Sequence, residues 1–289
     1  MLTSRIVGRF MYGFYADIFF SFLFGPLILM SITAFNTEAY PSVTPWSGFT
    51  LKWFGELWND RGLMEGFWNS LIIGAFVVFL AVPLALAGAI VMTQVYSRAR
   101  ALYYLVVVSP VLTPGVILGI STVIFWSDIS NVTGLEAVYR GMFLAVLGQC
   151  TFISAYCMLI FMARIQRYDR SQEEAALDLG ASPTQVFGHV FIPYMMPAII
   201  SAAAIAFLSS FENYNTTTFA ILADKTLTTV LAGRVRQGTT PAISALAVVI
   251  IMVTVAGAFL FEFLRMREAK RDEARARTAA EAERGEVLA

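Results

Sequence analysis

Histidine and cysteine are nearly missing from this sequence. His189 is the single histidine in 289 residues, and Cys150 and Cys157 are the only cysteines. One histidine cannot build a proton relay or a histidine-based metal cluster, and a pair of thiols is too few for a structural zinc site. The cysteines lie seven residues apart in a hydrophobic run, on one face of one helix, where they pack rather than bridge. Charge is scarce as well. Charged residues make up 14% of the chain against 58% hydrophobic, net charge is zero and mean hydropathy is +0.69. Without a basic field there is no electrostatic footprint for nucleic acid. A soluble domain has no use for so many apolar side chains, so the expected class is an all-α integral membrane protein. There is no internal repeat, no glycine-rich phosphate loop and no stretch that could house a nucleotide- or solute-binding domain. A lone histidine with scattered acids also supplies no catalytic constellation, which excludes the common hydrolytic chemistries.

What is present is a set of long apolar runs. Six spans are expected, over residues 18–35, 67–92, 101–126, 141–162, 194–222 and 242–264. The first follows Arg5 and Arg9, but its apolar run is too long for a signal peptide and no small-residue cleavage site follows it, so it reads as a retained span. Residues 36–66 carry Pro41, Pro45, Trp46, Trp53 and Trp58 and read as an outward loop with interfacial anchors. In the second span Ala81, Ala85 and Ala89 recur at helical spacing and offer a face for close packing. Ser109-Pro110 and Pro114-Gly115 interrupt the third span, which is tolerable only where protein or a watery cavity satisfies the freed backbone. Residues 127–140 and 223–241 are expected as outer loops, the latter with an amphipathic helix over 227–236. The three parts expected are 1–66 (first span and outer loop), 67–261 (the transmembrane domain) and 262–289 (a charged tail).

Basic residues set the orientation. Arg5, Arg9, Arg98, Arg100, Arg164, Arg167, Arg170 and the basic tail fall on one side, and Lys52, Arg61, Arg140, Lys225, Arg234 and Arg236 on the other. The richer side is inside, which places both termini in the cytoplasm.

One inside stretch, residues 173–193, has helix character on both sides of a break. Glu174 to Leu179 are strong helix formers. Gly180 can take the left-handed conformation that ends a helix, and Ser182-Pro183 restarts one with a good cap. Val186, Val190 and Phe187 share a face of the second arm, which Pro193 is expected to break. The expected shape is two short helices and a sharp bend, a part suited to being pushed.

Glu174-Ala175-Ala176, three residues, Gly180, nine residues, then Val190-Phe191-Ile192-Pro193 resembles the EAA loop of ABC-importer permeases, residues 174–193 here. Val190 and Ile192 stand where that family more often has Ile and Leu. Trp68-Asn69-Ser70-Leu71, the two proline pairs of the third span and residues 238–245 extend the likeness over about 67–261. The resemblance implies a type-1 permease fold in the bacterial inner membrane, with a cytoplasmic coupling helix. It implies coupling roles for Glu174, Ala175, Ala176, Gly180 and Pro193, with Glu174 pairing a basic residue of an ATPase. The implied partners are two ATP-binding subunits, a second homologous permease and a periplasmic solute-binding protein. ATP and magnesium would be held by the ATPases, and no cofactor by this chain. Within the family the likeness is to the second permease of spermidine/putrescine importers, where a pair of aspartates often stands at Glu212-Asn213.

The fifth span carries Ser209, Glu212, Asn213, Tyr214, Asn215 and Thr216. A carboxylate inside a span costs a few kcal/mol unless it meets a partner or water, so it marks a functional position. On a helix Ser209, Glu212, Asn213 and Thr216 share one face. Ionised Glu212 beside Tyr214 suits a cationic solute by charge pairing and cation–π contact. The competing reading has Glu212 and Asn213 bonding across to a partner subunit. Gln149 and Tyr156 are weaker pathway candidates, and packing is expected of both. The solute expected is a polyamine, with another organic cation, an aminophosphonate or ferric iron as alternatives. A secondary transporter without an ATPase would need charged relays or inverted halves, and neither occurs.

Overall fold

A computed structural model describes residues 2–94 and 97–257, together with Phe259, Glu262, Phe263, Met266 and Arg267. The rest of the charged tail expected over 262–289 lies outside the described residues. The described chain is helical: α1 (Leu2–Thr33), α2 (Lys52–Asn59), α3 (Arg61–Gln94), α4 (Ser97–Leu112), α5 (Gly115–Thr133), α6 (Gly141–Ile165), α7 (Ser171–Asp178), α8 (Pro183–Val186), α9 (Ile192–Phe211), α10 (Thr217–Ala220), α11 (Leu227–Gln237) and α12 (Pro241–Gly257). Among the described residues, five helical runs are long and apolar enough to cross a membrane: Tyr12–Thr33, Arg61–Thr93, Gly115–Thr133, Gly141–Ile165 and Pro183–Phe211. A shorter apolar helix, α12, occupies the start of the sixth expected span, whose end falls outside the described residues.

The chain divides into two compact units, Met1–Asn59 with Gly238–Ala289, and Asp60–Gln237. In the first, α1 leads into a turn pinned by Asn36. Its amide donates to the carbonyls of Ser42 and Pro45 and accepts from Ser47 N–H, and its own carbonyl takes the Trp53 indole N–H at 2.7 Å. Buried Thr33 donates to buried Ser244 of α12 at 2.9 Å.

The second unit is built on α3, α6 and α9. Ala81, Ala85 and Ala89 of α3 and Ala198, Ala202 and Ala206 of α9 are all buried. Without a hydrophobic force between helices in lipid, such small-residue stripes let backbones approach and gain dispersion contacts. Larger side chains of α6 (Leu144, Ile153, Met158, Phe161) fill the space between. The Cys157 thiol lies 3.7 Å from the Ala202 carbonyl, and both cysteines are free and buried in this core. Tyr156, expected to pack, is instead exposed.

Several expected boundaries move, α3 for one starting at Arg61 inside the expected outer loop 36–66, while the expected interruption of the third span is present. The interrupted third span is two helices meeting at Thr113-Pro114. Pro110 sits inside α4, while Pro114 disfavours the helical conformation at the residue before it and so makes the break. The helix then runs to Thr133, well into the expected outer loop 127–140. Its last polar turn is held by Ser130 and Thr133, and Gly134, at φ +70°, ends it by donating its N–H to Ser130. The fifth span ends early: α9 stops at Phe211, not near 222.

Candidate functional site: an elbow and a turn at the two ends of one helix

The elbow begins with α7, one turn earlier than the EAA residues alone would place it, and Asp169 Oδ1 accepts the Ser171 N–H at 3.0 Å just before it. Glu174 and Ala175 are exposed, and Ala176 is half-buried. Gly180 has φ +87°; its N–H donates to Leu177 and the N–H of Ala181 to Ala176. This paired closure satisfies the orphan carbonyls of α7 and requires the left-handed residue at Gly180. No atom lies within 4 Å of where a Gly180 side chain would begin, so the glycine serves the backbone and not packing. Ser182 then opens α8: its N–H donates to Gln185 Oε1 at 2.8 Å, while Ser182 Oγ accepts the Gln185 N–H.

Pro193 does not break the second arm. The helix widens into a π turn over Phe187–Phe191, in which the Ile192 N–H donates to the Phe187 carbonyl, and continues into α9. The extra residue in the turn accommodates a proline that lacks an N–H and crowds the preceding turn. Helical structure therefore runs from Pro183 to Phe211. Val186 is buried and Val190 half-buried, but Phe187, expected with them, is exposed. Bare apolar groups decorate the elbow: Leu179 is 89% exposed, with Leu177 and Phe187 about half so.

Three residues that the sequence did not single out fasten the elbow to α6. The Arg164 guanidinium donates to the Tyr194 carbonyl at 3.0 Å and lies over the Tyr194 ring, whose hydroxyl returns a bond to the Arg164 carbonyl. Tyr168 packs at a tilt against Tyr194 and edge-on to Phe191. Burial, with the Glu173 carboxylate adding to it, pushes the Tyr168 phenol up to about 12. It stays protonated at any physiological pH. A cavity of about 550 Å³ is lined by Tyr168, Arg170, Glu173, Val186 and Phe191 among others.

At the other end of the same helix the chain turns. Ser209, Glu212, Asn213 and Thr216 do not share a helical face, because Glu212 caps α9 and residues 213–216 form a turn. Asn213 makes that turn. Its Oδ1 accepts the N–H groups of Thr216 and Thr217, each at 3.2 Å, and the Thr217 hydroxyl at 2.9 Å. Asparagine offers the backbone this local alternative to helix. Its side chain is thus engaged within its own chain. Glu212 and Asn215 are exposed, Tyr214 and Ser209 half-buried, and Thr216 fully buried.

Gln149, expected to pack, is the hub under the turn. Only 1% exposed, it accepts from Ser210 Oγ and donates to Thr217 Oγ1 at 2.7 Å. A buried amide bonded at both its oxygen and its nitrogen fixes geometry that an apolar residue would leave loose. Glycines of α5 lie close against the turn. A Cβ at Gly119 would meet the Thr216 carbonyl at 2.5 Å, and one at Gly115 the Thr216 hydroxyl at 2.9 Å. Gly119→Ala must push backbone, so we expect it to lower thermal stability of the purified protein by about 1–3 kcal/mol.

Helix α11 covers the turn, as an amphipathic helix expected over 227–236. Thr228 Oγ1 donates to the Asn213 carbonyl at 3.0 Å, Arg234 pairs with Asp60, and Arg236 donates to the Tyr214 hydroxyl at 3.0 Å. The Arg234 hydrogen bond holds the Asp60 carboxyl below its ordinary value. A depressed carboxyl contributes above its unfolded pKa and loses that contribution as pH falls through the folded value. The Arg234–Asp60 tie should therefore be intact above about pH 4 and fail in stronger acid. Being partly exposed it is worth on the order of 1 kcal/mol or less. Comparing acid melting curves of Asp60→Asn and the unchanged protein checks this: the variant should lack that acid-dependent component.

Long apolar helices, one of them continuous with a polar elbow, define the class among the described residues as a multi-span helical membrane protein. The chain belongs to the family of binding-protein-dependent transport system inner membrane components, whose family model matches residues 81–267. It is 34% identical over 264 residues to the putrescine transport system permease protein PotI of Escherichia coli (strain K12), covering 89% of this chain and 92% of that one. It is 22% identical over 251 residues to the spermidine/putrescine transport system permease protein PotC of the same strain, covering 86% and 92%. Among solved structures, a bacterial alginate ABC transporter in complex with an alginate pentasaccharide-bound periplasmic protein superposes with a TM-score of 0.67 at 18% identity, covering 89% of this chain and 93% of that one. That likeness is one of fold. This is an inner-membrane, multi-pass permease subunit of an ABC importer with the type-1 fold, a transport protein rather than an enzyme.

Proposed function

We propose that this permease carries a polyamine, putrescine or spermidine, delivered by a periplasmic binding protein. The observation that carries the solute class is the 34% identity, over nearly the whole chain, to a putrescine permease. The chemistry of the turn supports it: Glu212 is an exposed carboxylate with no side-chain partner among the described residues, at the end of a span and two residues before Tyr214. An ammonium group pairs with such a carboxylate, and a ring face adds cation–π attraction.

In this reading a second, homologous permease completes the pore, and two ATPases dock on the cytoplasmic face, the side of both termini. Their groove takes the elbow, with Glu174 meeting a basic residue and small Ala175 and Ala176 allowing close approach. Nucleotide-driven closure moves Gly180 and the second arm, and the helix through Pro193 carries that motion to the turn at Glu212. The coupling is mechanical, the ATPases favouring one of two arrangements of a bistable element.

The test is uptake into proteoliposomes of the complete complex with its binding protein. ATP-dependent accumulation of putrescine, competed by spermidine and not by ferric iron or an aminophosphonate, is expected. Accumulation of one of those competitors instead would overturn the solute class.

A further inference from the structure

The cavity of about 550 Å³ at the elbow is built from groups that the coupling roles leave unused. Three apolar runs meet at it: Arg61–Thr93 and Gly141–Ile165 end there, and Pro183–Phe211 begins there. It therefore lies at the level where spans leave a bilayer. Ile90 and Met92 of α3, Ile165 of α6, and Val186 and Phe191 of the second arm give it an apolar wall. Arg100 of α4, Arg170 and Glu173 give it a charged one. Both arginines are exposed, and Arg170 has no carboxylate within ion-pair distance among the described residues. Tyr168 adds a buried hydroxyl with no hydrogen-bond partner among the described residues. Buried polar groups are normally bonded, so this is a donor that a polar occupant would satisfy.

We propose that the cavity holds one anionic phospholipid of the surrounding bilayer, a phosphatidylglycerol by its chemistry. Its headgroup meets Arg100 and Arg170, and one acyl chain lies along the apolar wall. Guanidinium groups donate in pairs to phosphate oxygens, and the Tyr168 hydroxyl supplies a further donor. Basic pockets between the ends of spans suit such headgroups. Two arginines against one glutamate leave a net positive charge, which a singly negative lipid balances and a zwitterionic one does not. The site depends on the spans lying in a bilayer and not on the solute or the ATPases, so its failure leaves the transport reading untouched.

The experiment is native mass spectrometry of the delipidated permease–ATPase complex. It is titrated in turn with palmitoyl-oleoyl phosphatidylglycerol, phosphatidylethanolamine and phosphatidylcholine. The first phosphatidylglycerol should bind about fivefold more tightly than either zwitterionic lipid, the worth of one net basic charge near a headgroup. Arg100→Gln combined with Arg170→Gln should erase that preference, and lysine at both positions should keep most of it. Glu173→Gln removes the opposing charge and should raise the preference about fivefold again. No preference in the unchanged complex, or phosphatidylethanolamine bound as tightly, overturns the site. So does a preference that survives the paired glutamine substitutions, or one that Glu173→Gln leaves as it was. Should the doubly substituted complex fail to assemble, the lipid comparison and Glu173→Gln still decide.

Discussion

Gly180→Pro is expected to leave the protein inserted and assembled but to abolish solute uptake while ATP hydrolysis continues. Gly180 has φ +87° and gives its N–H to Leu177. Proline is locked near φ −65° and has no N–H, so it loses the closing bond of α7 and the direction of the bend, at about 3 kcal/mol or more. Nothing packs against the Gly180 Cα, so the damage stays in the angle between the arms. Glu174→Lys probes the same elbow without touching its backbone: Glu174 is exposed, and reversing its charge should repel the basic residue proposed to meet it. Uptake and phosphate release measured together in proteoliposomes check both variants, and wild-type uptake in both would contradict the lever role.

The second large effect is at the far end. Glu212→Gln removes a charge and keeps the shape, since Glu212 takes no part in the Asn213–Thr217–Gln149 network that holds the turn. Uptake of putrescine at low concentration should fall about ten- to a hundredfold, the loss of one charge-assisted contact. Stability should be unaffected. Uptake unchanged in the variant would make Glu212 structural and remove the electrostatic part of the solute argument.

Local chemistry made much of this fold legible. The glycine that must be left-handed, the serine–proline restart and the alanine stripe of α3 are short-range signals, and each element formed where its residues asked for it. The misses share a cause: a side chain or widened turn overruled the local rule. Pro193 reads as a breaker until a π turn absorbs it, next to the Arg164–Tyr194 contact and the tilted Tyr168 and Tyr194 rings. The stretch 209–216 reads as one helical face until Asn213 folds back on the next amides. Gln149, 61 residues before Ser210, was visible as a polar residue in a span, but its partners were not. Arg236 counted only as a surface charge, because its contact with Tyr214 exists only once α11 folds over the turn.

These corrections strengthen the mechanical reading. A helix broken at Pro193 would have been a loose joint between motor and pore. A helix that continues through Pro193, with Arg164 bonded to Tyr194 beside it, offers the proposed coupling a continuous path, provided that the π turn does not bend.

The most direct test is a distance along that helix. Spin labels at Thr184 and Leu208, both exposed, lie 24 residues apart on the run Pro183–Phe211, or roughly 36 Å at 1.5 Å per residue. In the assembled complex this separation should stay the same with and without ATP, while the distance from Thr184 to a label on α3 changes. A Thr184–Leu208 distance that shifts with nucleotide would mean the π turn bends, and that force from the elbow does not reach Glu212 through this helix.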